Sequence, residues 1–149
     1  MKTGTMTIGG NLFRAISIDE ENDTAMAEMT MPPAKGPNYQ NTPHRHPSVE
    51  PVDVISGLAE VSHGFDLDHL VVEVLRPGQR LVLQGNEWHA IKNLSTQEEL
   101  VVYLGHSPMG RLWHEFVAGG MVAQVDGHLP VGYVSTWFDR LGMEFGNKH

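Results

Sequence analysis

The feature that most limits the fold of this chain is a series of short apolar segments separated by turn residues. These segments are rich in valine, leucine, isoleucine and methionine, and several alternate apolar with polar side chains. Glycine, proline and asparagine separate them, as at Gly85 and Asn86. Short strands at this spacing are typical of an antiparallel sandwich or barrel and not of βαβ units. We predict strands over the segments 12–18, 25–31, 51–55, 58–61, 70–75, 81–83, 88–91 and 100–104.

The last third of the chain has a different periodicity, because its large apolar residues recur at helical spacing. This predicts a short helix or turn near 110–118 and a firmer helix near 132–145. We expect their aromatic side chains to pack against the outside or an end of the barrel, in preference to forming a partner-binding stripe. The expected organisation is one domain over 1–149, with a barrel at about 6–106 and a helical extension at about 107–146.

Composition and charge exclude several classes of function. The chain has 18 acidic against 10 basic residues, a formal charge of −8, and no cluster of lysine and arginine. A nucleic-acid backbone would be repelled, so we expect no nucleic-acid partner. No apolar run approaches the length that crosses a bilayer, and the start lacks a secretory pattern, so we expect a soluble, cytoplasmic protein without a membrane partner. Cysteine is absent, which excludes thiolate metal sites and cysteine nucleophiles.

The segment TPHRHPSVE at 42–50 predicts a metal site. In an extended chain the side chains of His44 and His46 project to the same face. Glu50 follows four residues later, where a turn would return its carboxylate to the same cation. Nitrogen and oxygen ligands of this kind suit Zn, Fe, Mn, Ni or Co, and a further histidine would complete the set. Spacing alone does not choose that histidine among His63, His69, His89, His106, His114 and His128.

A family resemblance makes this choice. The pattern His44-x-His46-x3-Glu50-x6-Gly57 resembles the first motif of the cupins. The pattern Gly78-x5-Gln84-Gly85-Asn86-x2-His89-x3-Asn93 resembles their second motif, and the two occur in the right order. The resemblance implies an all-β fold, a double-stranded β-helix (jelly-roll) barrel with a short C-terminal helical segment. It also implies a divalent transition metal (Fe, Mn, Ni or Zn) held by His44, His46, Glu50 and His89.

Three positions depart from the usual cupin motifs. Asn38 and Asn86 stand where glycine is usual, and asparagine is the commonest other residue in left-handed backbone. We therefore expect both positions to keep a positive φ. Gln84 replaces the usual proline, which removes local stiffness but no metal ligand.

The histidines outside the motifs receive structural interpretations. His63 and His128 each adjoin a glycine, so we predict that they lie in turns. We expect His69 and His106 at the surface or at strand ends, in preference to positions that reach the pocket.

Three aromatic residues are candidates for the pocket wall, but a plain packing role is the preferred interpretation for each. Tyr39 lies in the segment 32–43, which we interpret as a loop over the site. Trp88 adjoins the predicted ligand His89, so in a strand it faces away from the metal. The facing of Tyr103 is open, because both faces of its predicted strand are apolar.

The segment 107–111, followed by Leu112, Trp113 and Phe116, is similar to the region after the barrel in quercetin dioxygenase-like single-domain cupins. This resemblance implies a dioxygenase acting on a small enol, catechol or polyphenol-like substrate. Glu50 would act as general base if its pKa is raised in the pocket. Two alternatives stay open: a metal-dependent isomerase or lyase acting on a sugar or hydroxy acid, and a non-catalytic cupin that binds a small ligand. The cupin resemblance also implies a homodimer.

Overall fold

The structure, a computed structural model, describes residues 4–33 and 42–146. Within these ranges, eleven strands and two helices form two antiparallel sheets and a C-terminal helical layer. Asn38, Tyr39 and most of the predicted loop at 32–43 lie outside the described residues. Among the described residues, no helix combines the length and hydropathy that a membrane crossing requires.

The first sheet has six strands, which neighbour one another in an order that differs from the chain order. In spatial order they are β1 (Met6–Ile8), β2 (Asn11–Asp19), β3 (Thr24–Met31), β10 (Leu100–His106), β5 (Glu50–Ser56) and β8 (Arg80–Leu83). The second sheet has five strands. In spatial order they are β11 (Glu144–Phe145), β4 (His44–Arg45), β9 (Trp88–Asn93), β6 (Ala59–Gly64) and β7 (Val71–Leu75).

All eight predicted strands are confirmed within a few residues at each end, whereas the short strands β1, β4 and β11 were not predicted. Alternate side chains point between the two sheets and form the core. Val52, Val61, Leu100 and Val102 are each 0% exposed. Burying one such side chain contributes about 1.5–3 kcal/mol. The double-stranded β-helix with a C-terminal helical segment is therefore confirmed.

The two helices differ in length from the prediction. Helix α1 (Gly110–Ala123) continues beyond the predicted short helix, and α2 (Tyr133–Leu141) ends before 145. The prediction that the second helix would be the firmer one was wrong. Gly142 ends α2 with φ 71°, and Phe145 then pairs with His44 as part of β11.

Aromatic residues of α1 and α2 pack against the barrel, as the sequence predicts. They join a second core with residues of β1 and β3 that includes Met6, Ala27, Trp113, Phe116, Val117 and Leu141. Helix α1 lies close to the barrel at its start, since a Cβ at Gly110 would lie only 2.5 Å from the backbone nitrogen of Ala25. The carboxylate of Asp23 accepts hydrogen bonds from the backbone N–H groups of Met109 and Arg111, both at 2.9 Å, which secures this end of the helix.

Candidate metal centre

Three of the predicted ligands converge in the barrel interior. His46, Glu50 and His89 each offer one ligand atom within 4.8 Å of the others. Their side chains are buried, with residue exposures of 1%, 4% and 1%. Oε1 of Glu50 lies 2.9 Å from Nε2 of His46 and 3.6 Å from Nε2 of His89. Because Glu50 begins β5 and His89 lies in β9, the cluster joins the two sheets.

The turn before β9 brings the two motifs together. The backbone N–H of Asn86 donates to the carbonyl oxygen of His46 at 2.7 Å. A Cβ at Gly85 would lie 2.5 Å from the carbonyl oxygen of Pro47, so only glycine allows this close approach. Asn86 has φ 63°, which confirms the positive φ that the sequence predicts there. His89 follows this turn and is thereby placed beside the first motif.

Main-chain carbonyl groups orient the three motif histidines in the same way. The hydrogen bonds from Nδ1 run from His44 to Thr42 (2.8 Å), from His46 to Ser48 (3.1 Å) and from His89 to Glu87 (2.8 Å). A carbonyl oxygen only accepts, so Nδ1 carries the proton in each ring and Nε2 of the neutral ring has a free lone pair. This is the tautomer that a metal-ligating histidine uses when its other nitrogen is held by a carbonyl group.

The donor set fits a divalent transition metal. The Nε2 lone pairs of His46 and His89 and the Glu50 carboxylate are all hydrogen-bond acceptors, and they face one another in a buried space. Nε2 of His89 is a buried atom without a hydrogen-bond partner among the described residues. Such orphaned groups are rare, and one cation would satisfy all three acceptors together. His46, Glu50 and His89 could therefore hold a metal ion.

His44 lies beside this set without belonging to it. Its ring centroid is 4.4 Å from that of His89 and 6.3 Å from that of His46. Burial, together with the nearby charge of His89, lowers the pKa of His44 to about 4. The ring is therefore neutral at physiological pH, as a metal ligand must be. Its role as the fourth ligand stays a prediction.

His106 joins the site, which the sequence analysis did not expect. Its Nε2 lies 2.9 Å from Oε1 of Glu50, and its ring stacks on Trp113 with centroids 3.8 Å apart. His106 is indeed the last residue of β10, but the surface placement is wrong because the residue is 5% exposed. Leu100, Val102 and Leu104 face the core, so two-residue periodicity also directs His106 inward. This signal is present in the sequence, but the equally apolar opposite face concealed it.

The pKa of Glu50 is held well below its ordinary value. Burial alone would raise it, but the surrounding imidazoles of His89, His106 and His46 outweigh this effect. Glu50 is therefore an ionised carboxylate, the form that binds a cation. The raised pKa on which its predicted role as general base depended is not found.

Comparison with known proteins supports the same architecture. No protein-family model matches the chain, and no curated protein matches it by sequence. An oxalate oxidase structure superposes with a TM-score of 0.57 and 21% identity, covering 73% of this chain and 57% of the oxidase. An RmlC-like cupin from Shewanella frigidimarina gives a TM-score of 0.58 at 15% identity, covering 72% of this chain and 85% of that protein. The chain has the cupin fold.

A third solved structure, Fe(II)-HppE with an alternative substrate, gives a TM-score of 0.57 at 11% identity and covers 66% of this chain and 50% of that protein. The superposed part of this chain covers only 57% of the oxalate oxidase and 50% of HppE. The fold implied by the two sequence motifs is confirmed. The quercetin dioxygenase-like subtype stays a prediction.

A cavity of about 380 Å³ adjoins the candidate metal centre. His44, Glu50, His89 and His106 form one part of its wall. The remaining wall is mainly apolar, with residues such as Phe13, Met29, Met31, Leu104, Phe116 and Phe138. Lysine and arginine are absent from the described residues that line it. The site thus combines a compact polar cluster with a large apolar surface.

Two further histidines have other surroundings. His63 was predicted in a turn, which is wrong, because it lies in β6. Its Nδ1 is 2.6 Å from a carboxylate oxygen of Glu87, and its Nε2 is 2.5 Å from one of Glu73. His69 is exposed, which confirms its predicted surface position, and its Nδ1 lies 2.8 Å from a carboxylate oxygen of Asp66.

The described aromatic candidates for the pocket wall do not line this cavity. Trp88 lies under the guanidinium of Arg45, whose central carbon is 4.4 Å from the ring centroid. It therefore faces away from His89, as alternation along the strand predicts. Tyr103 is half-buried in β10, between neighbours that do face the core. Trp113 lines the cavity in their place, where its indole N–H donates to Oγ of Ser48 at 3.2 Å.

Proposed function

We propose that this cupin is a metal-dependent dioxygenase that acts on a small enol, catechol or polyphenol-like substrate. The observation that carries the proposal is a buried cluster of two histidines and a glutamate in the wall of an apolar cavity. Two structural neighbours support metal-dependent oxidation, since one is an oxalate oxidase and the other, HppE, is described with Fe(II). The fold alone would not, because cupin barrels serve many reactions.

In this proposal His46, Glu50 and His89 hold the metal, with His44 as the fourth ligand. The rings of His44, His46 and His89 are directed by carbonyl groups, so their orientation is set before a substrate enters. A divalent metal bound here would polarise a substrate oxygen and lower the pKa of an enol or phenol hydroxyl beside it.

Glu50 is the residue to which we assign the proton transfer. Its carboxylate is ionised, so it is in the correct form to accept a proton. Because its pKa is low, it takes a proton effectively only from a hydroxyl that has been made more acidic. His106 lies 2.9 Å from the same carboxylate oxygen and fixes its position. Trp113 covers His106 and helps to keep bulk water from this side of the site.

The cavity wall favours this reaction class over an isomerase or lyase that acts on a sugar. A sugar presents several hydroxyl groups, and each would need a polar partner when buried. The described lining offers few polar side chains and many apolar ones, among them Phe13, Met29 and Phe116. An enol or phenol with an apolar ring matches this distribution.

Oxygen uptake tests the proposal. The protein is purified without chelator, its metal content is measured, and it is then loaded with Fe(II), Ni(II) or Mn(II). We expect bound metal and oxygen consumption that depends on an enol, catechol or flavonol. No uptake with any of these metals across the panel would reject a dioxygenase. Turnover that persists under nitrogen would favour the isomerase or lyase, and binding without product would favour a non-catalytic protein.

We also propose that the protein acts as a cytoplasmic homodimer. Exposed apolar side chains on the edge strand β7 support self-association: Val71, Val72 and Val74 are 57%, 56% and 42% exposed. Size-exclusion chromatography with light scattering should give twice the chain mass of 16.5 kDa. A monomer mass at micromolar concentration would reject the dimer, and recovery outside the cytosolic fraction would reject the location.

A further inference from the structure

Three buried side-chain atoms lack a hydrogen-bond partner within the described part of the chain: Oδ1 of Asn11, Nε2 of His89 and Nδ1 of His114. All three residues line the same cavity. Buried polar atoms are nearly always bonded, so orphaned atoms that share one cavity mark places where a ligand, an ion or an ordered water molecule bonds. The metal accounts for His89. Asn11 and His114 belong to no part of the proposed metal centre.

We propose that Asn11 is a specificity-determining residue that accepts a hydrogen bond from a hydroxyl or N–H group of an uncharged, largely apolar substrate in this cavity. The proposal rests on the proposed function in one respect, namely that this cavity is the substrate site. It adds the class of substrate and a contact apart from the metal ligands. His114, on α1, offers a second contact as donor or acceptor.

The position of Asn11 leaves its side-chain Oδ1 available to a ligand in the cavity. It is the first residue of β2, follows the turn that contains Gly9 and Gly10, and pairs with Ile8 of β1. The residue is only 8% exposed, so water outside the protein does not readily serve its Oδ1. A carboxamide oxygen accepts but does not donate, so the ligand group that bonds it must donate.

Asn93 is a second buried asparagine, and its side chain is fully hydrogen-bonded within the fold. Asn93 is 0% exposed, and its side-chain NH₂ donates to the carbonyl oxygens of Met31, Pro32 and Glu98 at 3.2, 3.0 and 2.9 Å. Its Oδ1 accepts from the backbone N–H of Ser95 at 2.9 Å. The carbonyl oxygen of Asn93 is thus used by the fold, and that of Asn11 is not.

The charge of the lining selects an uncharged ligand. Among the described residues that line the cavity, lysine and arginine are absent, and Glu50 contributes a negative charge. A carboxylate ligand would depend on the metal alone for compensation, and Glu50 would oppose it. An apolar ring with one hydroxyl group instead matches both the apolar wall and the free acceptor.

Equilibrium dialysis with three probes of one shape tests the proposal. The probes are 2-naphthol, 2-methylnaphthalene and 2-naphthoate, and the proteins are the metal-loaded and chelator-treated wild type and Asn11→Leu. We expect wild type in both metal states to bind 2-naphthol about three- to tenfold more tightly than 2-methylnaphthalene, as one neutral hydrogen bond allows. In the chelator-treated proteins we expect 2-naphthoate to bind more weakly than either of the other two probes. In chelator-treated Asn11→Leu, where no metal can favour the hydroxyl, the preference for 2-naphthol should fall to about one.

Two results of this experiment would overturn the proposal: a hydroxyl preference that survives in chelator-treated Asn11→Leu, or 2-naphthoate binding as tightly as 2-naphthol to chelator-treated wild type. Both are independent of turnover. Failure of oxygen uptake with an intact Asn11-dependent preference would reject only the proposed reaction. Oxygen uptake with no such preference would reject only this inference.

Thermal unfolding without ligand separates a binding role from a structural one. Leucine is similar in shape to asparagine and removes the unbonded acceptor, so Asn11→Leu should unfold at the wild-type temperature or above it. The matched variant Asn93→Leu should unfold at a lower temperature, because it leaves three carbonyl groups without their donor. A fall for Asn11→Leu as large as that for Asn93→Leu would assign Asn11 to the fold and overturn the proposal.

Discussion

Two clusters in this barrel are built from the same residue types, histidine and glutamate, but differ in how the ring nitrogens meet the carboxylates. Around Glu50, imidazole nitrogens converge on one carboxylate oxygen, and Nε2 of His89 has no hydrogen-bond partner among the described residues. Around His63, each ring nitrogen faces its own carboxylate, from Glu87 or from Glu73. The first cluster is incomplete without a cation, and the second is complete by itself. The direction of the ring nitrogens, and not the composition, therefore distinguishes the candidate metal site from the second cluster.

The complete cluster supports the incomplete one. The second carboxylate oxygen of Glu87 accepts from the backbone N–H of Gln84 at 2.8 Å, which stabilises the turn between β8 and β9. The backbone carbonyl oxygen of Glu87 accepts from Nδ1 of His89. His63 thus acts on the metal centre only through the backbone around Glu87.

The largest expected effect separates the two clusters by metal affinity. His89→Ala removes a nitrogen ligand, so we expect metal affinity to fall by at least about 100-fold, more than the loss of an outer partner causes. His63→Ala, the matched control, should keep the wild-type metal stoichiometry. Competition with a chelating dye measures both. A wild-type affinity in His89→Ala would show that the metal lies elsewhere.

A variant of His106 tests whether this residue is a metal ligand or only positions Glu50. His106→Phe keeps a ring to stack on Trp113 and removes the contact with Glu50. We expect metal affinity to fall by about 10- to 100-fold, as for a residue that positions a ligand. The same competition assay measures the change. A loss as large as that of His89→Ala would instead make His106 a ligand.

The complete cluster should affect stability more than metal binding. His63→Leu leaves the buried carboxylate of Glu87 without its partner, so we expect the free energy of unfolding to fall by about 1–3 kcal/mol. The control His69→Leu breaks an exposed pair and should cost only about 0–1 kcal/mol. Urea unfolding of the metal-free proteins measures both. Unchanged stability with lost metal in His63→Leu would reverse the roles given to the two clusters.

The smallest expected effect is on how the stability lost in His63→Leu depends on pH. Burial lowers the pKa of His63, but hydrogen bonds to Glu87 and Glu73 outweigh it, so the pKa is raised above 6.5 in the folded protein. A raised folded pKa gives stability that is fully present below the unfolded value and is lost as pH rises through the folded value. The difference in the free energy of unfolding between wild type and His63→Leu should therefore shrink as the pH rises from about 6 to about 9. A difference that grows over this range would contradict the pairing.

Much of the fold could be predicted from the sequence because its signals are local. Alternating apolar residues and turn residues determine strands such as β2 and β6, and a pairing partner is not needed to recognise them. The short strands β4 and β11 have no periodicity of their own, and they exist because His44 and Phe145 pair across 100 residues of chain.

The candidate site could be predicted only as far as its motifs extend. His46, Glu50 and His89 stand in two recognisable patterns, and the structure brings them together. His106 lies outside both patterns, and its inward direction becomes certain only when β10 is placed between β3 and β5. The free acceptor of Asn11 has no sequence signal, because an unmade hydrogen bond is a property of the folded cavity.

The most direct test of the central claim is anomalous X-ray diffraction at the absorption edge of whichever metal elemental analysis finds. One peak is predicted, with Nε2 of His46, Nε2 of His89 and a carboxylate oxygen of Glu50 each within about 2.0–2.3 Å of it. A peak beside His63, Glu73 and Glu87, or no peak after the crystals are soaked in Fe(II), Mn(II), Ni(II) and Zn(II), would contradict it.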